Sequence, residues 1–239
     1  MRSLAAVLFT AASAATAQGL DRDTLLTDAP AVPAVGTVRI TGSGVATEKS
    51  DSTSSSFTGT VGWTPIANLS GDVGAYFQAG AQGPAARVRY QLLNQTAHGL
   101  DMSTGVRFKT VGFHPDQGEV EFIVAAGRRF GHFELVLNGV FGVETGGENG
   151  KDLEAKGFAG WRFNEALRAG LDGRLQAEIQ DEAQPATAPV GRDYDLTVGP
   201  AVSWLVTRTI QVQARVGVAQ PKKTDKTSPV GVVSASIDF

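Results

Sequence analysis

Between Leu167 and Ile179 the odd positions read Leu, Ala, Leu, Gly, Leu, Ala, Ile and the even positions Arg, Gly, Asp, Arg, Gln, Glu. Successive side chains of a β-strand point to opposite faces, so this stretch is a strand with one oily face and one charged face. Tyr194 to Trp204 divides in the same way, with Tyr194, Leu196, Val198, Pro200, Val202 and Trp204 against Asp195, Thr197, Gly199, Ala201 and Ser203. Ile210 to Val218 sets Gln211, Gln213 and Arg215 on its polar side. Phe133 to Val143 and Leu153 to Phe163 follow the rule with lapses such as Val136 and Phe158, which put apolar residues on the polar face. From Gly36 onward about twelve such segments can be marked, near 37–45, 56–63, 71–80, 86–94, 100–112, 119–129, 132–143, 153–163, 166–179, 193–205, 209–219 and 229–239.

Strands of roughly ten residues are about twice the usual soluble length and match a tilted strand crossing a bilayer. The connections alternate as well. Pro65 to Ser70, Thr96 to Gly99, Phe130-Gly131, Asn164-Glu165 and Thr207-Arg208 are short, whereas Glu48 to Ser55, Thr145 to Asp152, Asp181 to Arg192 and Gln220 to Ser228 are longer and polar. Ala81 to Ala85 and His114 to Gly118 are brief connections on the longer side. Short turns at one end and longer loops at the other suit the periplasmic and extracellular ends of a transmembrane barrel. The expected fold is therefore all-β: an antiparallel up-and-down transmembrane β-barrel of about 12 strands. A soluble barrel shares the alternation but needs fewer and shorter strands.

Aromatic rings favour the interface between headgroup and hydrocarbon, and they give an independent check. Trp63, Trp161 and Trp204 fall at short-turn ends with Phe130, Phe133, Phe163 and Phe239, while Phe57, Phe113 and Tyr194 fall at the opposite ends.

Composition narrows the setting. No cysteine in 239 residues excludes disulfides, thiolate metal sites and thiol catalysis, and a net charge of -3 with only 19% charged residues argues against a nucleic-acid binder. Arg2, the apolar run Leu4 to Ala15 and Ala15-Thr16-Ala17 read as a signal peptide over residues 1–17. Residues 18–35, polar and then rich in Pro and Ala through Ala29-Pro30-Ala31-Val32-Pro33-Ala34, read as a periplasmic N-terminal linker, leaving 36–239 as the barrel. An alternative for the linker places Leu20, Leu25 and Leu26 on one face of a short helix tucked into the larger structure.

The last segment, Gly231-Val232-Val233-Ser234-Ala235-Ser236-Ile237-Asp238-Phe239, ends in Phe with apolar or small residues at every second position before it. It resembles the terminal strand of Gram-negative outer-membrane β-barrel proteins, a family of porin-like barrels. The resemblance implies an outer-membrane location, periplasmic termini, contact with lipid and lipopolysaccharide, and recognition of this strand by the barrel-assembly machinery.

With the oily face toward lipid, the polar face lines the lumen. Its bases are Arg39, Arg87, Arg89, Arg107, Lys109, Lys156, Arg162, Arg168, Arg174 and Arg215, and its acids are Glu121, Glu134, Glu154, Asp172, Glu178 and Asp195. Arg87, Arg89, Arg107 and Lys109 lie on adjacent strands with few inward acids between them. This is either a wall that favours anions or a set of cations neutralised across the lumen by Glu121 and Glu134. In outline it is similar to twelve-stranded channels for acidic oligosaccharides.

No catalytic, cofactor-binding or metal-ligating set emerges. His98 and His132 fall at short turns, and His114-Pro115-Asp116, which pairs a base with a carboxylate, has the composition of a polar loop tip. Thr145 to Asp152 lacks the first Gly and the Ser or Thr of a phosphate loop. Asp181-Glu182 and Ser52 to Ser56 read as solvated loops. The expected function is a narrow passive channel for small solutes, anionic ones included, and not an enzyme. A non-conducting barrel that anchors or scaffolds envelope protein partners is the second reading, and an outer-membrane hydrolase the third.

Overall fold

A computed structural model describes residues 20–49, 52–78, 81–111, 114–145, 150–180, 194–221 and 226–239. The signal peptide expected at 1–17 lies outside these residues. Twelve strands follow in order: β1 Val38–Lys49, β2 Ser52–Ile66, β3 Leu69–Gln78, β4 Ala81–Leu93, β5 Asp101–Val111, β6 His114–Phe130, β7 Phe133–Glu144, β8 Lys151–Arg162, β9 Leu167–Gln180, β10 Tyr194–Leu205, β11 Ile210–Gln220 and β12 Ser228–Asp238. Each pairs antiparallel with its sequence neighbour, and β12 pairs with β1, so the sheet closes on itself. Closure removes every edge and satisfies the backbone internally, as a hydrocarbon surround demands. Val38 and Phe239 exchange backbone hydrogen bonds of 3.2 and 2.9 Å where the two chain ends meet.

All twelve expected segments are strands, but several run further than the alternation indicated. Glu48 to Ser55, expected as a loop, continues the β1–β2 ladder as far as Lys49 opposite Ser52. Ala81 to Ala85 and His114 to Gly118, also expected as connections, belong to β4 and β6. Backbone pairing persists beyond the apolar band because the ladder needs no oily face there, and the period-two signal fades first. In the turn after β4, a single helical turn, α1 Gln95–His98, is capped by Asn94 and ends at Gly99, whose φ of 81° lies in the left-handed region.

Val61, Val73, Val88, Val106, Leu137, Leu171, Val202 and Val216 are exposed on the outer face, forming a continuous apolar band. Of the expected interface aromatics, Phe57, Trp63, Phe130, Phe133, Trp161, Phe163, Trp204 and Phe239 are exposed there, and Tyr194 is half-buried. Phe113 lies outside the described residues. The inner face carries the charge, as the alternation required.

The closeness of backbones on the inner face sets a limit at Gly199. A Cβ there would stand 2.1 Å from the Val216 carbonyl oxygen, whereas one at Gly231 would meet nothing within 4 Å. Gly199→Ala should therefore cost roughly 1–3 kcal/mol through overpacking and lower the temperature at which the folded barrel loses its fast gel mobility. Gly231→Ala should leave that temperature unchanged; equal effects of the two substitutions would contradict this packing.

Candidate functional site in the barrel lumen

Of the expected periplasmic linker, 18–35, residues 20–33 are instead held inside the barrel, while Ala34 and Val35 are exposed. The segment folds on itself: Ala31 N–H donates to the Leu20 carbonyl at 3.2 Å, Thr24 N–H to the Thr27 carbonyl at 3.0 Å, and Ala29 N–H to Asp23 Oδ1 at 2.8 Å. It then binds the wall. Asn138 of β7 accepts from Asp28 N–H at 2.7 Å and donates to the Asp28 carbonyl at 2.9 Å. Arg89 and Ser103 both donate to the Ala29 carbonyl at 3.1 Å. Gln91 accepts from Val32 N–H at 3.0 Å, and Gln213 donates to the Asp23 carbonyl at 2.9 Å. A segment without secondary structure can be buried only when its backbone groups find such partners.

An apolar seat completes the attachment. Val136 and Phe158, two lapses in the alternation, point inward and bury against Leu20 and Ala201, with Ala31 packed beside them. Pro30 is fully buried, and a Cβ on Gly127 would come within 2.7 Å of its ring, so the glycine leaves room for it. Val136 and Phe158 are therefore part of the footprint of the segment. Gly36, with φ of 87°, turns the chain from the lumen into β1.

Charge makes the strongest contacts. Asp28 Oδ1 accepts from Arg87 and Arg107 at 2.5 Å each, and its other oxygen lies 3.5 Å from Lys156 Nζ. Asp23 binds Arg87 at 2.7 Å and Arg89 at 3.0 Å, while Asp72 of β3 takes the third edge of Arg87 at 2.8 Å. Burial alone would raise the Asp23 carboxyl, yet Arg87 and Arg89 hold it well below the usual carboxylate range. For Asp28, burial is likewise outweighed by Arg107, Lys156 and Arg87. Asp172 of β9 accepts from the Thr24 hydroxyl at 3.0 Å and the Leu26 N–H at 3.1 Å. Near the chain ends, Arg22 pairs with Asp238, and Arg39 bridges Asp238 at 2.7 Å and Asp21 at 3.2 Å.

The expected lumen residues thus acquire partners. Lys109 pairs with Glu121 at 2.7 Å and Glu119 at 2.8 Å, and Arg107 also reaches Glu121 at 2.7 Å. Glu134, one candidate to neutralise the wall of Arg87, Arg89, Arg107 and Lys109, instead gathers Arg129 at 2.7 Å, Arg168 at 3.0 Å and Arg162 at 3.8 Å. Glu154 binds Lys156 at 2.9 Å and also Arg174. Arg215 is buried with its Nε and Nη1 unpartnered. Glu178 and Asp195 lie on inward rows of β9 and β10, opposite Asp152 and Gln176. Asp21, Arg22, Asp23 and Asp28 were missed because they were assigned to a linker; four charges within residues 21–28 were the available signal. Asp72, Glu119, Arg129, Asp152 and Asp238 were available from strand alternation alone. The side chains of His114 and Asp116 lie outside the described residues. His98 is exposed on α1, and His132 stacks on Trp161 with ring centroids 5.5 Å apart.

The segment leaves part of the lumen open. A cavity of about 600 Å³ lies beside it, bounded by Arg22 of the segment and Arg87, Arg107 and Lys109 of β4 and β5, and by Arg39 with the hydroxyl and amide side chains of β1, β2, β11 and β12.

This closed antiparallel barrel, with an oily exterior and an ionised interior, defines an outer-membrane β-barrel protein of the porin-like kind. The chain belongs to the family described as "Putative MetA-pathway of phenol degradation", whose model matches residues 99–225. No curated protein matches the chain. Among solved structures it is similar to the NanC porin (9% identity, TM-score 0.65, covering 84% of this chain and 100% of that one). It is also similar to the KdgM porin (10%, 0.59, 84% and 99%) and to an outer membrane channel from Pseudomonas putida F1 (12%, 0.58, 87% and 97%). These likenesses show the fold.

Asp28→Ala would remove the carboxylate shared by Arg87, Arg107 and Lys156, leaving Arg87 to Asp23 and Asp72, Arg107 to Glu121 and Lys156 to Glu154, a loss of at most about 3–5 kcal/mol, the range for removing one partner of a buried pair. Trypsin should then cut after Arg22, which is buried in the intact protein; continued protection would show that the segment does not depend on this cluster. The depressed Asp23 and Asp28 carboxyls contribute stability that is complete above their unfolded value of about 4 and declines only as pH falls below it. Amide exchange in residues 20–31, corrected for its intrinsic rate, should therefore show no loss of protection as pH falls from about 8 to 5. Loss of protection within that window would contradict the ion pairing.

Proposed function

We propose that the protein is a narrow passive channel of the bacterial outer membrane for small polar solutes, with both termini on the periplasmic side. The observation that carries this reading is the polar cavity left beside a seated segment in a closed barrel. Twelve strands enclose more room than the eight whose side chains can fill a lumen, and less than the 16 to 18 of open porins. Narrowing by residues 20–33 fits small solutes. Charge selectivity is weak in this reading, because Asp23 and Asp28 neutralise the arginines that would otherwise favour anions.

The seating of the segment also favours a second reading, a non-conducting barrel that anchors or scaffolds an envelope complex. A planar-bilayer recording separates the two. Residues 18–239 should give small reproducible current steps with a reversal potential near zero in a salt gradient. Removing residues 18–35 should enlarge the steps and shift selectivity toward anions, since Arg87, Arg89 and Arg107 lose Asp23 and Asp28. Silence from both folded proteins would reject the channel and leave the scaffold.

A further inference from the structure

The inner wall is divided by chemistry. The cations that hold Asp23 and Asp28 of the segment lie on β4, β5 and β8, whereas β11, β12, β1 and β2, contiguous in the closed barrel, border the cavity mainly with uncharged hydrogen-bonding side chains, Arg39 of β1 being the charged exception. Strand pairing arranges eight of these in two rows. One runs Thr60, Thr41, Ser236, Gln211 and the other Thr58, Ser43, Ser234, Gln213, each residue directly opposite the next. Neighbours within a row are about 4.8 Å apart and the rows about 6.7 Å apart, the spacings of paired strands and of alternate residues. All eight line the cavity.

Three members already serve the protein: Ser236 accepts from Arg22, Gln211 donates to Ser203, and Gln213 donates to Asp23. The hydroxyls of Thr41, Ser43, Thr58, Thr60 and Ser234 have no protein partner among the described residues, and all five are half-buried facing the cavity. Across the void stand Arg87 with Asp72 and Asp23, a wall that both donates and accepts while carrying little uncompensated charge.

We propose that this cavity is a binding site for a neutral polyhydroxylated solute of saccharide size. Such a ligand needs closely spaced groups that can each donate and accept, which the hydroxyl rows supply. It also needs an opposing polar face that does not demand a counter-charge, which the ion-paired arginines supply. A cavity of about 600 Å³ is in the range of small-molecule sites. An organic anion would find its cations already taken by Asp23, Asp28 and Glu121, and an apolar aromatic would leave the hydroxyls and guanidinium groups unsatisfied.

The proposal names the solute for the channel proposed above, and binding can be read without conduction. Sucrose, gluconate and phenol would each be titrated against the detergent-solubilised full mature chain, with saturation-transfer NMR as the readout, and then added to bilayer recordings. Sucrose should show saturable binding stronger than gluconate or phenol, and should interrupt the current in a concentration-dependent way. The quadruple variant Thr41→Val, Ser43→Ala, Thr58→Val, Ser234→Ala should weaken sucrose binding at least tenfold. Thr104→Val, on the outer face, should not. Heat-modifiable gel mobility reports folding of each variant, and the pair Thr41→Val, Ser43→Ala serves if the quadruple variant does not fold. Absence of saturable sucrose binding, equal binding by the folded hydroxyl variant, or stronger binding of gluconate or phenol would overturn the proposal. Sucrose binding without current would support the site while rejecting the channel.

Discussion

A carboxylate in a barrel lumen must find cations, and cations on a barrel wall must find carboxylates. Asp28 meets that constraint for both sides, with two guanidinium groups at 2.5 Å and an ammonium at 3.5 Å, while Asn138 clasps its backbone from both directions. Without this residue Arg87 and Arg107 would face each other across a partly dehydrated space. Much of the interior follows from it: Asp23 beside Arg89, Pro30 against Gly127, and Leu20 on Val136 and Phe158. The segment and the wall are complementary in charge, in backbone hydrogen bonding and in apolar contact at once.

That complementarity shapes what the lumen offers a solute. Neutralising the arginine wall from within removes the strong field that an open basic channel would have, and leaves paired charges of both signs. The segment reaches the opposite side only through Asp21, Arg22 and Asp23, and it does not engage the hydroxyls of Thr41, Ser43, Thr58, Thr60 and Ser234 there. The residues that seat the segment decide both where the open space lies and which chemistry borders it.

The segment is also the part of the chain that sequence reasoning placed least well. Its Pro-rich run has the composition of an extended linker, and it does lack regular structure; what composition does not reveal is burial, which depends on partners distant in sequence. Asp28 meets Lys156 and Asn138 across more than a hundred residues. Two clues lay in the strands. Val136 and Phe158 broke the alternation because they face a neighbour and not water, and the adjacent strands supply Arg87 with Asp72 alone because the other acids of Arg87 and Arg89 come from the segment.

Strand number, closure and the separation of oily from ionised faces were legible in the order of residues, because lipid on one side and water on the other impose a period of two on every strand. The outward direction of most of the aromatic residues was legible for the same reason. The ends of the strands were not, since backbone pairing continues after the two-sided solvent contrast has ended. Which charge meets which was decided only by the tertiary structure. Pairing across a lumen depends on register, curvature and the path of the N-terminal segment, and none of these leaves a periodic mark on the chain.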